Sequence, residues 1–286
     1  MPSDLPDDFD PETYLALNPD LRVPWIDPAT HYRNHGRAEG RAYTQAMLGL
    51  RPRLDGVFDH DGLRTVHNHD FMIDSEFRAA YERGVAAAAG QDYRWYWRVH
   101  IGLWAARTAA RLMGDFVECG VNRGFLSSAI LHDLDWQGTA RRFWLLDTFT
   151  GLDPRYVSDT ERDAGALVAN QAKLDSGFYT GSLQAVRENF SVWPAVRIIP
   201  GAVPDTLPQV TAESVAFLHI DMNCAPPEVA AIDWFWPRMP QGGIVLLDDY
   251  AYRGFQPQKD AMDDWARTKG VSIASLPTGQ GLLVKT

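Results

Sequence analysis

Two segments far apart in the chain carry the residues best suited to chemistry. Leu218-His219-Ile220-Asp221-Met222-Asn223 is an apolar run that stops in aspartate, and Gly242-Gly243-Ile244-Val245-Leu246-Leu247-Asp248-Asp249-Tyr250 is another. Short runs rich in Val, Ile and Leu predict buried parallel strands. Ligands of an open α/β sheet bind outside the carboxyl ends of its strands. If these two strands are neighbours, Asp221, Asp248 and Asp249 crowd one small volume. Such carboxylates repel one another unless a cation or a proton lies among them. Their hard oxygens suit Mg²⁺ or a similar divalent ion.

The elements that must position these acids begin at Asp115, where strand and helix start to alternate. Predicted strands are Phe116–Cys119, Phe143–Asp147, Val196–Ile199, Val215–Asp221 and Ile244–Asp248, with helices near 123–134, 181–190, 226–238 and 256–268. Val271–Leu276 and Leu282–Lys285 read as a terminal hairpin. Upstream, helices are expected over Asp74–Ala89, stopped by Gly90, and over Tyr93–Leu112. The segment 51–70 has no clear period and reads as an ordered loop or lid. Residues 1–48, with short helices broken by Asn-Pro and His-Gly, read as a small helical module. The expected division is therefore 1–48, a lid and helices over 49–112, and an α/β core over 113–286.

The first core strand ends in Glu118-Cys119-Gly120-Val121-Asn122-Arg123-Gly124. Glycines at a strand-to-helix turn let the backbone approach a ligand, and the helix N-terminus favours an anion. The alternative is a tight turn with no ligand. The spacing is not that of the dinucleotide fingerprint, which argues against NAD. The second strand ends in Asp147-Thr148-Phe149. An acid at that position can accept the hydroxyls of a ribose, or it can simply cap a turn.

ECGVNRG, LLDTFTGL, GAVPDTLP, HID and GGIVLLDDY follow one another in this order. Together they resemble the macrocin and mycinamicin type of sugar O-methyltransferase, over about residues 70–286. The resemblance implies a Rossmann-like α/β class I methyltransferase fold, with a seven-stranded, mostly parallel sheet ending in an antiparallel hairpin. It implies S-adenosyl-L-methionine as methyl donor and Mg²⁺ as helper. On this resemblance Glu118, Gly120 and Gly124 hold the methionine end, Asp147 binds the ribose, and Gly201 and Ala202 face the adenine. Asn122, Thr148, Phe149 and Asp221 complete the cofactor set, and Asp221, Asp248 and Asp249 hold the metal. The metal would chelate two sugar hydroxyls and acidify the one to be methylated.

One departure concerns the general base. Some relatives carry an acid two residues after the first metal aspartate, or a histidine three after it. Asn223 and Cys224 stand there in this chain, and Asn accepts no proton at neutral pH. The remaining candidates are His219, the aspartates Asp221 and Asp249, and His67 or His69 from the lid. His219 can equally be a structural hydrogen-bonding residue, and the lid histidines can belong to a polar loop that satisfies its own backbone. Arg98 reads either as a holder of an anionic substrate group or as a surface ion pair. The Thr278–Gly281 turn reads either as an acceptor contact or as a plain hairpin turn.

The composition bounds the rest. Of 286 residues 45% are hydrophobic and 22% charged, as in a globular protein, and the net charge of −10 disfavours nucleic acid as a partner. No apolar stretch approaches the roughly 20 residues of a membrane span. The acidic N-terminus does not resemble a signal peptide, and two cysteines argue against a disulfide framework, so a cytoplasmic enzyme is expected. The segment FDPETYLALNPDL…HYRNHGRAEGR resembles a module attached to glycosyltransferases of surface polysaccharides. This points to a sugar or glycan acceptor in bacterial polysaccharide or glycoside biosynthesis. Rival readings are a methyltransferase for catechol-like diols and a non-catalytic cofactor-binding protein. Surfaces rich in Trp serve either a pocket or a homo-oligomer interface.

Overall fold

The computed structural model describes residues 5–48, 54 and 56–286. Positions 49–53 and 55 of the expected lid segment, and 1–4 of the expected N-terminal module, lie outside the described residues. The chain forms two units, one of 1–56 with 68–73, the other of 57–67 with 74–286.

The smaller unit holds α1 (Pro11–Leu17) and α2 (Pro28–His31). Each starts on an aspartate, Asp10 or Asp27, whose side chain accepts a backbone N–H three residues on, with proline at the first helical position. Its core is Tyr14, Leu21 and Tyr32, joined by Phe9 and Tyr43. Asn18 ties the core together by donating to the carbonyls of Tyr14 and Ala42.

The larger unit opens with a hairpin, β1 (Phe58–His60) and β2 (Leu63–Thr65). Asp61 and Gly62 form its turn at φ +52° and +74°. The mirror-image turn needs positive φ at both positions, and Asp-Gly supplies it. The segment expected to be an ordered loop or lid is therefore partly strand. The helices α3 (Ser75–Ala87) and α4 (Tyr96–Ala109) follow, inside the expected limits.

Then strand and helix alternate: β3 (Asp115–Cys119), α5 (Phe125–Asp133), β4 (Phe143–Asp147), α6 (Asp159–Asp163), α7 (Ala166–Asp175), α8 (Leu183–Phe190), β5 (Val196–Pro200), β6 (Val215–Ile220), α9 (Ala225–Phe235), β7 (Ile244–Leu247), α10 (Gln256–Lys269), β8 (Ala274–Ser275) and β9 (Gly281–Val284). The sheet order is β5-β4-β3-β6-β7-β9-β8, and only β9 runs opposite to the other strands, pairing antiparallel with β7 and β8. This is the expected mostly parallel seven-stranded sheet. Every residue of β6 is buried, as for a central strand covered on both faces. α6 and α7 form an insertion between β4 and α8 that the strand–helix alternation did not foretell. Among the described residues no helix is long and apolar enough to cross a membrane.

The register fixes the site. β3 and β6 are parallel neighbours although β4 and β5 intervene in sequence, so the order in which strands are added reverses between them. That switch opens a crevice at the carboxyl ends of the strands. Beyond the strand ends the ladder continues, with Gly120 N–H donating to Leu146, Gly201 to Asp147, Asp221 to Cys119 and Asp248 to Ile220.

Candidate active site

A cavity of about 450 Å³ lies over these strand ends. Its floor is the loop after β3. Gly120 has φ +90°, and a Cβ there would stand 1.8 Å from the Asp221 carbonyl oxygen. Gly124 has φ +79°, and its Cβ would stand 2.3 Å from the Phe190 ring. Only glycine fits either place. The loop itself is held by Asp147. Asp147 Oδ2 accepts the N–H groups of Val121 at 2.7 Å and Asn122 at 2.8 Å, and Oδ1 accepts that of Phe149 at 2.6 Å. Asp147 lines the cavity as expected, but its oxygens already serve the backbone of both loops. Thr148, Gly201 and Ala202 also line the cavity, whereas Phe149 is buried and contributes its N–H to Asp147. Asn122 lines it too, while its side chain clasps the inserted segment through Phe178 O and Thr180 N–H.

Glu118 and His219 sit side by side on β3 and β6. Their Oε1 and Nδ1 are 2.9 Å apart, and both residues are buried. Glu118 Oε2 is buried without a hydrogen-bond partner. His219 Nε2 lies 3.7 Å from Asp248 Oδ1, an ion-pair rather than a hydrogen-bond distance. Burial pulls the His219 pKa down, but the carboxylates of Asp248 and Glu118 outweigh it and push it up to about 10. Its Nδ1 is spent on Glu118 and its Nε2 faces Asp248, so the ring is held between two carboxylates.

The three aspartates of the sequence motif converge as expected, and all line the cavity. Their partner is Arg98, on α4. Arg98 is buried, and the reading of a surface ion pair is corrected. Its Nη1 donates to Asp248 Oδ2 and, at 3.1 Å, to the Asp248 carbonyl. Nη2 donates to Asp249 Oδ1 at 3.3 Å and Nε to Asp61 Oδ2 at 2.9 Å. The guanidinium also stacks 4.4 Å from the Tyr252 ring centroid, and Tyr252 Oη donates to Asp61 Oδ1 at 3.1 Å. Gln280, from the turn before β9, donates to Asp248 Oδ1 at 2.9 Å, so that turn holds an aspartate in place.

Burial raises the pKa of each acid, and the partners then separate them. Asp248 falls well below the usual carboxylate range because Arg98, His219 and Gln280 overcome its burial. Burial and the charge of Asp248 push Asp249 up to about 6, and burial with both neighbours raises Asp221. Asn223 stands at φ +57° and donates to Asp221 Oδ1 at 3.2 Å, while Cys224 Sγ points to Tyr156 O and Glu161 Oε2. Neither offers a base.

The expected Mg²⁺ does not fit this arrangement. Both oxygens of Asp248 are engaged, and Arg98 takes one of Asp249. Among the described residues no group of three His, Cys, Asp or Glu side chains is arranged to hold a metal ion. Of the lid histidines, His67 shares the larger unit with the cavity but does not line it. His67 is exposed, and His69 is buried within the smaller unit.

The insertion supplies residues that the sequence reading missed. Lys173 Nζ donates to Tyr179 Oη at 3.0 Å, and both line the cavity with Phe178. Tyr93 and Trp95 stack at 4.3 Å, meet the Phe178 ring edge-on and also line the cavity. Lys173 lies on a helix without a distinct apolar face, so no periodic signal marked it. For Asp61, the Asp-Gly pair between two short β-prone runs was the available signal.

A family model described as Macrocin-O-methyltransferase (TylF) matches residues 105–275. The 8-demethyl-8-(2,3-dimethoxy-alpha-L-rhamnosyl)-tetracenomycin-C 4'-O-methyltransferase of Streptomyces olivaceus is 32% identical over 166 residues, 56% of this chain and 60% of that protein. Mycinamicin III 3''-O-methyltransferase of Micromonospora griseorubida is 28% identical over 166 residues, 56% of this chain and 63% of that protein. The match thus spans about three-fifths of the length of these relatives. The structure of the O-methyltransferase NovP aligns with a TM-score of 0.57 at 24% identity, over 66% of this chain and 79% of that one. That likeness establishes a shared fold.

Proposed function

The chain belongs to the macrocin-O-methyltransferase family, and from that membership we propose that it transfers a methyl group from S-adenosyl-L-methionine to a sugar hydroxyl. The observation that carries the reading is Glu118 Oε2, a buried carboxylate oxygen without a partner in a residue that lines the same cavity as Asp221 and Asp249. A ligand ammonium supplies the hydrogen-bond donor that Oε2 lacks.

When bound, the cofactor supplies an electrophilic methyl carbon and departs as S-adenosylhomocysteine with the electron pair of the broken C–S bond. The chain's own residues orient and deprotonate. The acceptor oxygen forms the new C–O bond in line with the departing sulfur, so holding the reactants aligned is much of the catalysis. We assign receipt of the hydroxyl proton to Asp249, at the oxygen not given to Arg98, with Asp221 beside it.

A sugar acceptor is supported by the mixed lining. Trp95 and Tyr93 offer ring faces, and Lys173, Tyr179 and the aspartates offer hydrogen bonds. One relative is named for 4'-O-methylation of a rhamnosyl tetracenomycin. The resemblance of the N-terminal segment to modules of polysaccharide glycosyltransferases adds a bacterial glycan or glycoside as the acceptor class.

Calorimetric titration with S-adenosylhomocysteine tests the cofactor assignment. We expect micromolar binding by the wild-type protein, weakened at least about tenfold in Glu118→Gln, and retained in Asp249→Asn together with loss of turnover. No binding by the wild-type protein would sink the reading.

A further inference from the structure

We propose that Arg98 is the resident cation of the acidic cluster, standing where a divalent ion would otherwise be held. The inference goes beyond methyl transfer, and its test fails or succeeds separately from the S-adenosylhomocysteine titration.

Four observations carry it. Arg98 spends Nε, Nη1 and Nη2 on protein acceptors, so little of its donor fork is left for an anionic substrate group. The side chain is buried at 8% exposure, and the side chains of Asp61, Asp248 and Asp249 are at most 16% exposed. The guanidinium is locked from behind by the Tyr252 ring, and Tyr252 in turn holds Asp61. Finally, Gln280 and His219 approach the other oxygen of Asp248, so that carboxylate is satisfied without a metal.

A guanidinium stays protonated at any pH the protein meets, and its planar fork matches carboxylates in geometry. A divalent ion needs several free oxygens converging on one point. To gain them here it would have to expel Arg98 from three carboxylates and a ring face. The cost of burying Asp248 beside Asp249 is thus met by a covalently attached cation. Arg98 touches the carboxylates, so it acts as a positioning residue. It fixes Asp248 and one oxygen of Asp249 and leaves the second oxygen of Asp249 to the acceptor.

The test is a titration of the full chain with Mn²⁺ alone, followed by electron paramagnetic resonance of the free ion. The wild-type protein should show no saturable site up to about 1 mM, the weak end for hard divalent ions. Arg98→Gln removes the charge and should bind Mn²⁺ at least about tenfold more tightly. Asp249→Asn added to that variant should abolish the gain. Saturable micromolar binding by the wild-type protein, lost in Asp249→Asn alone, would overturn the proposal. So would a folded Arg98→Gln variant that binds no better than wild type. If Arg98→Gln does not fold, the wild-type and Asp249→Asn titrations still decide.

Discussion

Glu118 Oε1 and His219 Nδ1 lie 2.9 Å apart on adjacent strands, buried at the centre of the sheet. Neither side chain is tolerable there alone. Removing one partner of a buried ion pair leaves an uncompensated charge and costs about 3–5 kcal/mol. We expect Glu118→Gln and His219→Gln each to approach that loss in urea unfolding. The double variant should cost less than their sum by at least about 1 kcal/mol. Full additivity would mean that the pair is not coupled.

Asp147 holds three backbone N–H groups from two loops. Asparagine keeps one acceptor oxygen but turns an amide NH₂ toward other donors. A buried donor left unpaired costs about 1–3 kcal/mol. Asp147→Ala, which removes every acceptor, should cost more than Asp147→Asn, and both should lower the melting temperature and weaken S-adenosylhomocysteine by at least about tenfold. Parallel melts and calorimetry on both variants check this. A mild asparagine variant would contradict the loop-holding role.

Gly120 meets the Asp221 carbonyl so closely that a methyl group has no room. The positive φ adds a penalty for any side chain. Gly120→Ala should lose on the order of 3 kcal/mol or more of stability and any S-adenosylhomocysteine binding. Circular dichroism and calorimetry together separate a folded, non-binding protein from an unfolded one. Unchanged affinity would remove Gly120 from the ligand floor.

Asp92 ties the Tyr93–Trp95 wall to the helices, accepting Tyr81 Oη at 2.6 Å, Arg94 N–H at 2.8 Å and Tyr96 Oη at 3.1 Å. Burial raises its pKa, but these donors outweigh it and leave the carboxyl below its ordinary value. A depressed folded-state pKa stabilises above the unfolded value, and the benefit fades as pH falls through the folded one. The group is largely exposed, so the charge effect is screened, and Asp92→Ala should cost only about 1 kcal/mol. The melting gap between wild type and variant should be constant near neutrality and close below about pH 4. A gap that widens in acid would refute the assignment.

What the sequence carried plainly was whatever depends on neighbours in the chain. The apolar runs ending at Asp147, Asp221 and Asp248 became strands, and their register brought the acids together as the order of motifs implied. What it hid depends on long-range packing. Arg98 and Asp248 are 150 positions apart, so nothing local revealed that one neutralises the other. The metal expected from the resemblance rested on the acids alone, and their cation came from a helix upstream of the sheet. The sequence singled out His67 and His69 in the lid, yet Asp61 at the hairpin turn is the residue that joins the cluster. Lys173 and Tyr179 lie in an insertion whose presence the strand–helix count gave no reason to expect.

The backbone bonds that run past the strand ends have a kinetic meaning. Gly120, Gly201, Asp221 and Asp248 each hang their amide on the neighbouring strand. Their protons exchange with solvent only when the sheet itself opens, so the cavity floor keeps time with global unfolding. Phe178–Thr180 is fastened to that floor by the Asn122 side chain, and Gly177 by Arg123. Such ties break without disturbing a strand. Amide exchange should therefore be slow at Gly120, Gly201, Asp221 and Asp248 and faster across Phe178–Thr180, which lines the same cavity.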